Sequence, residues 1–330
     1  MNAILKSLAA LLLASGFAGT ALAETVNFGI ISTESQQNLR TKWEPFLADM
    51  TKETGLEVKP FFATDYAGVI EGMRFGKVQM GWFGNKSAME AVDRAKGEIF
   101  AQSVPHDGEP GYYSLILAPK DSKLTGLPDL LKCDKSLNFG LGDPNSTSGY
   151  LVPMTFVFAA NDVEPKTCFK NVTNANHETN AMGVANGQLD AAANNTENMA
   201  LIEKNQPAAF AKIKVLWKSP LIPSDPLVWS QDLPEDTKGK IRDFVLSYGT
   251  DKTKGDKAEE LKVLAGLEWS PFRASTDDQL LPIRVMETTK SIAQAKGDAK
   301  LSADEKAAKV KELEARKADY ETRLASLPQN

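Results

Sequence analysis

Short apolar runs alternate with segments of helical spacing along the first hundred residues. The runs at 26–31, 57–62 and 78–83 have the length and composition of buried strands. A helix-spaced segment follows each run, and the first of these carries Leu39, Trp43, Phe46, Leu47 and Met50. Strands that alternate with helices indicate βαβ units and a parallel, doubly wound sheet. Ligands bind such sheets at the carboxyl ends of the strands, so we expect functional residues there.

The same alternation restarts in the middle of the chain and ends in a proline-rich crossing. Further strands are predicted at 137–141, 169–172, 191–193 and 212–217. Prolines 220, 223 and 226 follow, and residues 227–229 are predicted to rejoin the first sheet. This pattern predicts an α/β fold with two lobes and a cleft between them. The predicted division is lobe 1 at 24–120, an inserted lobe 2 at 121–223, and a return to lobe 1 at 224–275.

The last segment, 276–330, is predicted to be a C-terminal helical extension. Ser302 and Glu305 form a capping box before a long stretch rich in Ala, Lys and Glu. No heptad repeat persists, which favours a solvated helix over a coiled coil. Such a helix can pair with a neighbour, so a homodimer through the C-terminal helices is a hypothesis. Residues 266–272, which precede the extension, are predicted to form a loop.

Residues 1–23 have the features of a cleaved signal peptide. Lys6 precedes an apolar run that ends near Phe17, and Ala21-Leu22-Ala23 is a small-x-small cleavage signal. The run is too short and too rich in Gly and Ala to span a membrane. We therefore expect a soluble protein exported to the periplasm. The net charge of −5 gives no indication of a nucleic-acid partner.

The chain has two cysteines, Cys133 and Cys168. Export to an oxidising compartment favours a disulfide between them, with two buried free thiols as the alternative. No pair of histidines accompanies them, so we predict no zinc site and no metal.

The stretch Gly142 to Gly149 lies between a predicted strand and a predicted helix. Its three consecutive hydroxyl residues, Ser146, Thr147 and Ser148, are of the kind that cap helix N-termini. The freed N–H groups and partial positive charge of a helix start suit an anion. An alternative is that Ser146 only caps the helix and that nothing binds there.

Longer segments carry a family resemblance that covers nearly the whole exported chain. These segments are 27–39, 142–149, 176–181, 194–198, 218–223 and 225–226. Together they resemble the periplasmic phosphonate-binding proteins of bacterial ABC phosphonate importers. The resemblance implies a type II periplasmic binding fold, a phosphonate ligand with 2-aminoethylphosphonate foremost, and an ABC permease in the inner membrane as partner. It implies neither a cofactor nor enzymatic activity.

The resemblance also assigns residues to the ligand. Ser146, Thr147 and Ser148 match the phosphonate cradle, and Tyr112 and His177 match further phosphonate-bonding residues. Three hydroxyls and several amide N–H groups can satisfy the three acceptor oxygens without Arg or Lys. Without the resemblance, Tyr112 would be interpreted as a packing residue and His177 as a structural histidine.

Three further residues are assigned to the rest of the ligand. Tyr66 matches a residue of the cleft wall that contacts the carbon chain or amine, and Glu197 and Asp225 match an acidic pair. Two carboxylates near a bound anion repel it unless the ligand also carries a cation. An ammonium two carbons from the phosphonate meets that requirement, whereas surface acids are the alternative interpretation.

Three classes of function remain open from the residues. The first is a phosphonate-binding protein, the second a binding protein for phosphate, phosphite or a sulfonate, and the third a hydrolase that uses the same cleft. No base and orienting group accompany Ser146–Ser148, which argues against an enzyme. A bare oxyanion has no use for Glu197 and Asp225, which argues for the aminated phosphonate.

Overall fold

A computed structural model describes residues 24–327 of the chain. The predicted signal peptide, 1–23, lies outside the described residues. No helix within 24–327 combines the length and the apolar character that crossing a membrane requires.

The strands are numbered in chain order. They are β1 (Thr25–Ile30), β2 (Glu57–Phe62), β3 (Met80–Trp82), β4 (Gly97–Pro105), β5 (Gly111–Tyr112), β6 (Ser114–Pro119), β7 (Asn138–Leu141), β8 (Asn171–Asn174), β9 (Ala191–Asn195), β10 (Ile213–Lys218), β11 (Ile222–Pro223), β12 (Pro226–Ser230) and β13 (Trp269–Ala274).

The helices are numbered in the same way. They are α1 (Gln36–Thr54), α2 (Tyr66–Arg74), α3 (Asn85–Arg94), α4 (Leu127–Leu130), α5 (Pro165–Cys168), α6 (His177–Ala185), α7 (Thr196–Asn205), α8 (Pro207–Phe210), α9 (Glu235–Ser247), α10 (Lys257–Gly266), α11 (Leu281–Gly297) and α12 (Ala303–Ser326). Between β7 and α5 lies the cradle helix, which consists of two π-helical segments, Thr147–Leu151 and Met154–Phe158, and a 3₁₀ turn, Ala159–Asn161.

Lobe 1 is built on a six-stranded sheet with the order β13-β4-β12-β3-β1-β2. The first three strands of the chain pair in parallel, as the βαβαβ pattern predicts. The strand β12 returns between β3 and β4 and runs antiparallel to both, which confirms the predicted re-entry of residues 227–229. The aromatic rings of Phe28, Trp43 and Phe46 pack together beneath this sheet.

The loop predicted at 266–272 is wrong, because Trp269–Ala274 forms the edge strand β13. Its pairing with β4 shifts register between Ser270 and Arg273. Pro271 lies within this irregularity, where the lack of an N–H is tolerated. Pro271 is therefore accommodated at the edge of the sheet.

Lobe 2 is built on a five-stranded sheet with the order β10-β6-β9-β7-β8. The strands β7, β8 and β9 are parallel, while β6 is antiparallel to β9 and to β10. Residues 114–119 thus pair into the second sheet, although the predicted first segment of lobe 1 extends to 120. The crossing comes earlier because β5 belongs to the connection between the lobes and β6 already belongs to the second sheet. The other predicted domain boundaries remain a prediction.

The two crossings between the lobes are joined by hydrogen bonds. The short strands β5 and β11 pair antiparallel, with Tyr112 opposite Ile222 and Gly111 opposite Pro223. A Cβ atom on Gly111 would lie 1.9 Å from the carbonyl oxygen of Ile222, so this position requires glycine. We refer to the pair β5–β11 as the hinge ribbon.

Lobe 2 is stabilised by an aromatic core and by a disulfide. The rings of Phe139 and Phe169 stack with a centroid distance of 4.7 Å, and Phe158 packs edge-on against both. Cys133 and Cys168 are bonded, as predicted.

The C-terminal extension is a helical hairpin. The capping box of Ser302 and Glu305 is present at the start of α12. Arg323 near the end of α12 pairs with Asp278, which precedes α11, at 3.7 Å, so the two helices run antiparallel. The neighbour of α12 is therefore α11 of the same chain. A homodimer stays a prediction.

Candidate functional site

A cavity between the two lobes brings together all the residues that the sequence assigned to a ligand. These residues are Tyr66, Tyr112, Ser146, Thr147, Ser148, His177, Glu197 and Asp225. Most of them lie at strand ends or helix starts, where the predicted topology places ligand-binding residues.

The cradle helix begins at the hydroxyl residues 146–148, which are all buried. Ser146 caps it, because its Oγ accepts a hydrogen bond from the N–H of Gly149 at 3.0 Å. Thr147 Oγ1 accepts from the backbone N–H of Lys86 at 2.8 Å, and Ser148 Oγ accepts from Asn195 Nδ2 at 3.1 Å. Each hydroxyl already accepts a hydrogen bond, so its proton remains free to be donated. Three such donors at a helix N-terminus form an anion site.

The loop before the cradle helix closes tightly on itself. The N–H of Gly142 donates to the carbonyl oxygen of Gly149 at 2.7 Å. A Cβ atom on Gly142 would lie 2.6 Å from the Cα of Gly149. The glycines that frame the predicted stretch therefore allow the chain to fold back so that residues 146–148 face the cavity.

His177 is the first residue of α6 and is 3% exposed. Its Nε2 lies 3.5 Å from Ser146 Oγ and 3.4 Å from Asn195 Nδ2. Its Nδ1 is buried without a partner among residues 24–327. Burial lowers the pKa of the imidazole to about 4, so the ring is neutral at pH 7. A neutral ring next to the cradle offers one N–H donor without adding charge.

Tyr112 belongs to the acidic end of the cavity. Tyr112 lies on the hinge ribbon, and its hydroxyl donates a hydrogen bond to Asp225 Oδ1 at 2.8 Å. Asn85 Nδ2 lies 3.4 Å from the same carboxylate oxygen and donates to the carbonyl of Pro223 at 2.7 Å. The resemblance assigned Tyr112 to the phosphonate. Its hydroxyl proton is donated to Asp225 here, and a contact between Tyr112 and a phosphonate stays a prediction.

Glu197 and Asp225 are two acids that face one cavity. Burial raises the pKa of Glu197 to about 7. Burial, and then the negative charge of Glu197, raise the pKa of Asp225 well above its usual range. Neither acid forms an ion pair with a basic side chain within the described part of the chain. Lys42 also lines the cavity, but it is paired with Glu34. A bound cation could therefore serve as the bonded partner of the two acids.

Tyr66 is a buried residue of the lobe 1 wall. It begins α2 after the N-cap Asp65, and its N–H donates to Asp143 Oδ2 of lobe 2 at 3.1 Å. Its ring lies on the cavity side, which agrees with the position expected from the sequence.

The sequence analysis missed an aromatic wall made of Trp43, Trp82 and Trp269. Their ring centroids lie 5.5 to 5.6 Å apart, and all three line the cavity. Trp82 ends β3, so its place at the carboxyl edge of the sheet could have identified it. Trp269 lies in the segment predicted as a loop, and Trp43 was interpreted only as a core residue. Asn195, at the end of β9, was also missed.

The arrangement is suited to binding and offers no evident catalysis. The cavity combines a charge-free set of donors, an acidic pair and a wall of aromatic rings. Within residues 24–327 no cluster of His, Cys, Asp and Glu could hold a metal ion.

Comparison with known proteins places the chain in a family. The family described as "ABC transporter, phosphonate, periplasmic substrate-binding protein" matches residues 28–280. The phosphonates-binding periplasmic protein of Escherichia coli K12 is 53% identical over 298 residues, which cover 90% of this chain and 86% of that protein. The phosphate-import protein PhnD of Mycolicibacterium smegmatis is 30% identical over 210 residues, which cover 60% of this chain and 64% of that protein.

A solved structure shares the fold. The binding protein component of an ABC phosphonate transporter from Pseudomonas aeruginosa superposes with a TM-score of 0.88 at 56% identity, covering 92% of this chain and 98% of that chain. This likeness confirms the predicted type II periplasmic binding fold. Such homologues bind substrates for transporters and are not enzymes, as was predicted for this chain. The chain therefore belongs to the family of periplasmic substrate-binding proteins of ABC phosphonate transporters.

Proposed function

We propose that this protein captures alkylphosphonates in the periplasm and delivers them to an ABC permease in the inner membrane. The preferred ligand in this proposal is 2-aminoethylphosphonate. Ser146, Thr147, Ser148 and His177 hold the phosphonate, while Glu197 and Asp225 hold the ammonium.

One observation carries the proposal: a cavity with a neutral anion cradle also contains two acids without a basic partner. An anion near Glu197 and Asp225 is repelled unless positive charge accompanies it. A ligand with an ammonium supplies that charge and stabilises both carboxylates in their ionised form. A phosphonate that carries an amine two carbons away meets both demands with one small molecule.

The remaining residues of the cavity fit the middle of such a ligand. Tyr66 and the aromatic wall present apolar surface to the carbon chain. The faces of Trp rings also attract a nearby ammonium. Tyr112 holds Asp225 in place, and its hydroxyl oxygen can still accept a hydrogen bond from the amine.

A second candidate is a site for a bare oxyanion. The relative from Mycolicibacterium smegmatis is named for phosphate import, although it matches only 60% of this chain. The cradle suits phosphate equally well, and the two functions differ in the use of Glu197 and Asp225.

Calorimetric titration of residues 24–330 tests the two candidates together. The ligands are 2-aminoethylphosphonate, ethylphosphonate and phosphate, compared in one buffer. We expect the aminated ligand to bind tightest, followed by ethylphosphonate and then phosphate. Binding of phosphate alone would retain the cradle and reject the role of the acidic pair.

A further inference from the structure

A side chain of lobe 2 reaches across the mouth of the cleft to lobe 1. Glu178 is the second residue of α6, directly after His177. Its Oε2 accepts a hydrogen bond from the N–H of Ser35 at 2.9 Å, and its Oε1 accepts from Asn38 Nδ2 at 2.9 Å. Both carboxylate oxygens are thus bonded to the start of α1, which belongs to the other lobe. Glu178 does not line the ligand cavity.

The N-terminus of α1 is suited to bind a carboxylate from another part of the chain. Ser35 is its N-cap and accepts from the N–H of Asn38 at 3.2 Å. The first turn of α1 contains no acidic residue. A helix N-terminus favours negative charge, so Glu178 provides from lobe 2 what α1 lacks in its own sequence. Hydrogen bonds that involve a charged group are also the stronger kind.

A second contact between the lobes lies nearby and is weaker. Lys204 of α7 pairs with Glu268, which precedes β13, at 2.6 Å. The Lys204 side chain is 57% exposed, so solvent screens this pair and it contributes little. Gln206 Nε2 lies 3.5 Å from Glu178 within lobe 2. The backbone N–H of Glu178 also donates to the carbonyl oxygen of Thr33, at 3.4 Å, and Glu178→Ala would keep this long bond. The two bonds from the Glu178 carboxylate are therefore the principal side-chain connection at this side of the mouth.

We propose that Glu178 is a positioning residue that latches the two lobes over a bound phosphonate. The inference rests on the proposed function. His177 and Glu178 occupy the same turn of α6, so a ligand that draws His177 into place also brings Glu178 to α1. Two-lobed binding proteins close by hinge motion. A contact that exists only between closed lobes favours the closed form with or without a ligand, and it slows reopening. Because the latch does not touch the ligand, it strengthens binding of every ligand by the same factor.

The experiment compares four variants with the wild type in residues 24–330. Glu178→Ala removes the latch from lobe 2, and Asn38→Ala removes one partner from lobe 1 without altering α6. The double variant completes the cycle. Glu203→Gln is the matched control, because this exposed acid of lobe 2 forms no hydrogen bond or ion pair in the described part of the chain. Stopped-flow and calorimetric titrations use 2-aminoethylphosphonate, ethylphosphonate and phosphate.

We expect Glu178→Ala to weaken every ligand that binds by about tenfold, as loss of a charge-assisted bond implies. The change should appear as faster release, with the association rate altered by less than about twofold. Asn38→Ala alone should weaken binding about threefold relative to the wild type. Added to Glu178→Ala, it should cause no further loss of affinity. Glu203→Gln should bind as the wild type does.

Two results would overturn the latch. One is unchanged affinity in Glu178→Ala. The other is a loss that differs between ligands, because that would show action through His177. If the wild type binds none of the three ligands, the proposed function fails separately. In that case, X-ray scattering of the ligand-free proteins tests the latch. We expect a larger radius of gyration for Glu178→Ala than for Glu203→Gln, because the lobes open more easily without the latch. Equal radii would refute the latch.

Discussion

At the scale of single residues, chemistry that is local in the chain was predictable and pairing across the lobes was not. The hydroxyl residues 146–148 indicate a helix N-cap in the sequence, and Glu197 follows a predicted strand. The bond from Lys86 to Thr147 joins positions 61 residues apart and leaves no local signal. The bond from Tyr112 to Asp225 spans 113 residues and likewise leaves no local signal.

Glu197 should distinguish aminated from plain phosphonates. We expect Glu197→Gln to weaken 2-aminoethylphosphonate about 100-fold, because removing one partner of a buried charge pair costs a few kcal/mol. Ethylphosphonate, which has no amine, should bind within about threefold of its wild-type affinity. Calorimetry with both ligands measures the difference, and Glu203→Gln on the same helix is the control for loss of a negative charge. Equal loss for both ligands would place the ammonium elsewhere.

Ser146 should affect all phosphonates alike. In Ser146→Ala the cradle loses one hydroxyl donor, and the cradle helix loses the cap that bonds Gly149. We expect all three ligands to bind at least tenfold more weakly, since a hydrogen bond to a charged group contributes about 1.5–3 kcal/mol. The lost cap should also cost about 1 kcal/mol of stability. A thermal melt of the ligand-free variant separates the two effects, and unchanged affinity would remove Ser146 from the site.

At the scale of elements, strong periodicity gave correct helices and strands, and the irregular elements were missed. The helix α1 begins directly after Ser35 and continues through Pro45. The helix predicted at 150–160 exists, but its turns are largely π-helical. Such turns are common at functional sites, yet the apolar pattern cannot reveal them. The strand β13 was missed, and its pairing is irregular around Pro271.

The disulfide should stabilise lobe 2 without taking part in ligand binding. It joins Cys133 and Cys168 across 35 residues, and neither residue lines the cavity. A loop of this length corresponds to about 3–4 kcal/mol of lost chain entropy in the unfolded state. We expect the double substitution of both cysteines by serine to lower the melting temperature clearly and to leave ligand affinity within about twofold. A large loss of affinity at a temperature where the variant is folded would show that the bond also shapes the cradle.

At the scale of the whole molecule, the two-lobed plan followed from the order of the elements, while the closed arrangement of the lobes did not. Alternation of strands and helices predicted two sheets, and the prolines marked the second crossing. The hinge ribbon, the Glu178 contacts and the shared cavity all depend on pairs that are distant in sequence. These contacts bring Glu197 of lobe 2 and Asp225, which follows the hinge ribbon, into one site. Because the two acids titrate, the stability of the protein and its ligand affinity should both depend on pH.

Stability and binding should change with pH in opposite directions. The folded ligand-free protein raises the pKa of Glu197 from 4.5 to about 7, so it favours the neutral carboxyl. That stabilisation is complete below about pH 4.5 and is lost as the pH rises through 7. An ammonium ligand requires the ionised form, so its affinity should increase over the same interval. The neutral His177, whose pKa is about 4, does not titrate between pH 5 and 8.

Comparison with Glu197→Gln removes the titration of the ligand and of distant groups, and it reports on the acidic pair as a unit, because the charge of Glu197 also raises the pKa of Asp225. We expect the melting temperature of the ligand-free wild type to fall, relative to the variant, between pH 5 and 8. Over the same range the affinity advantage of the wild type for 2-aminoethylphosphonate should grow, by up to about tenfold per pH unit below 7. Calorimetry at several pH values measures the advantage. Parallel curves for the two proteins would mean that Glu197 is already ionised without a ligand, and the proposed dependence of binding on its deprotonation would be wrong.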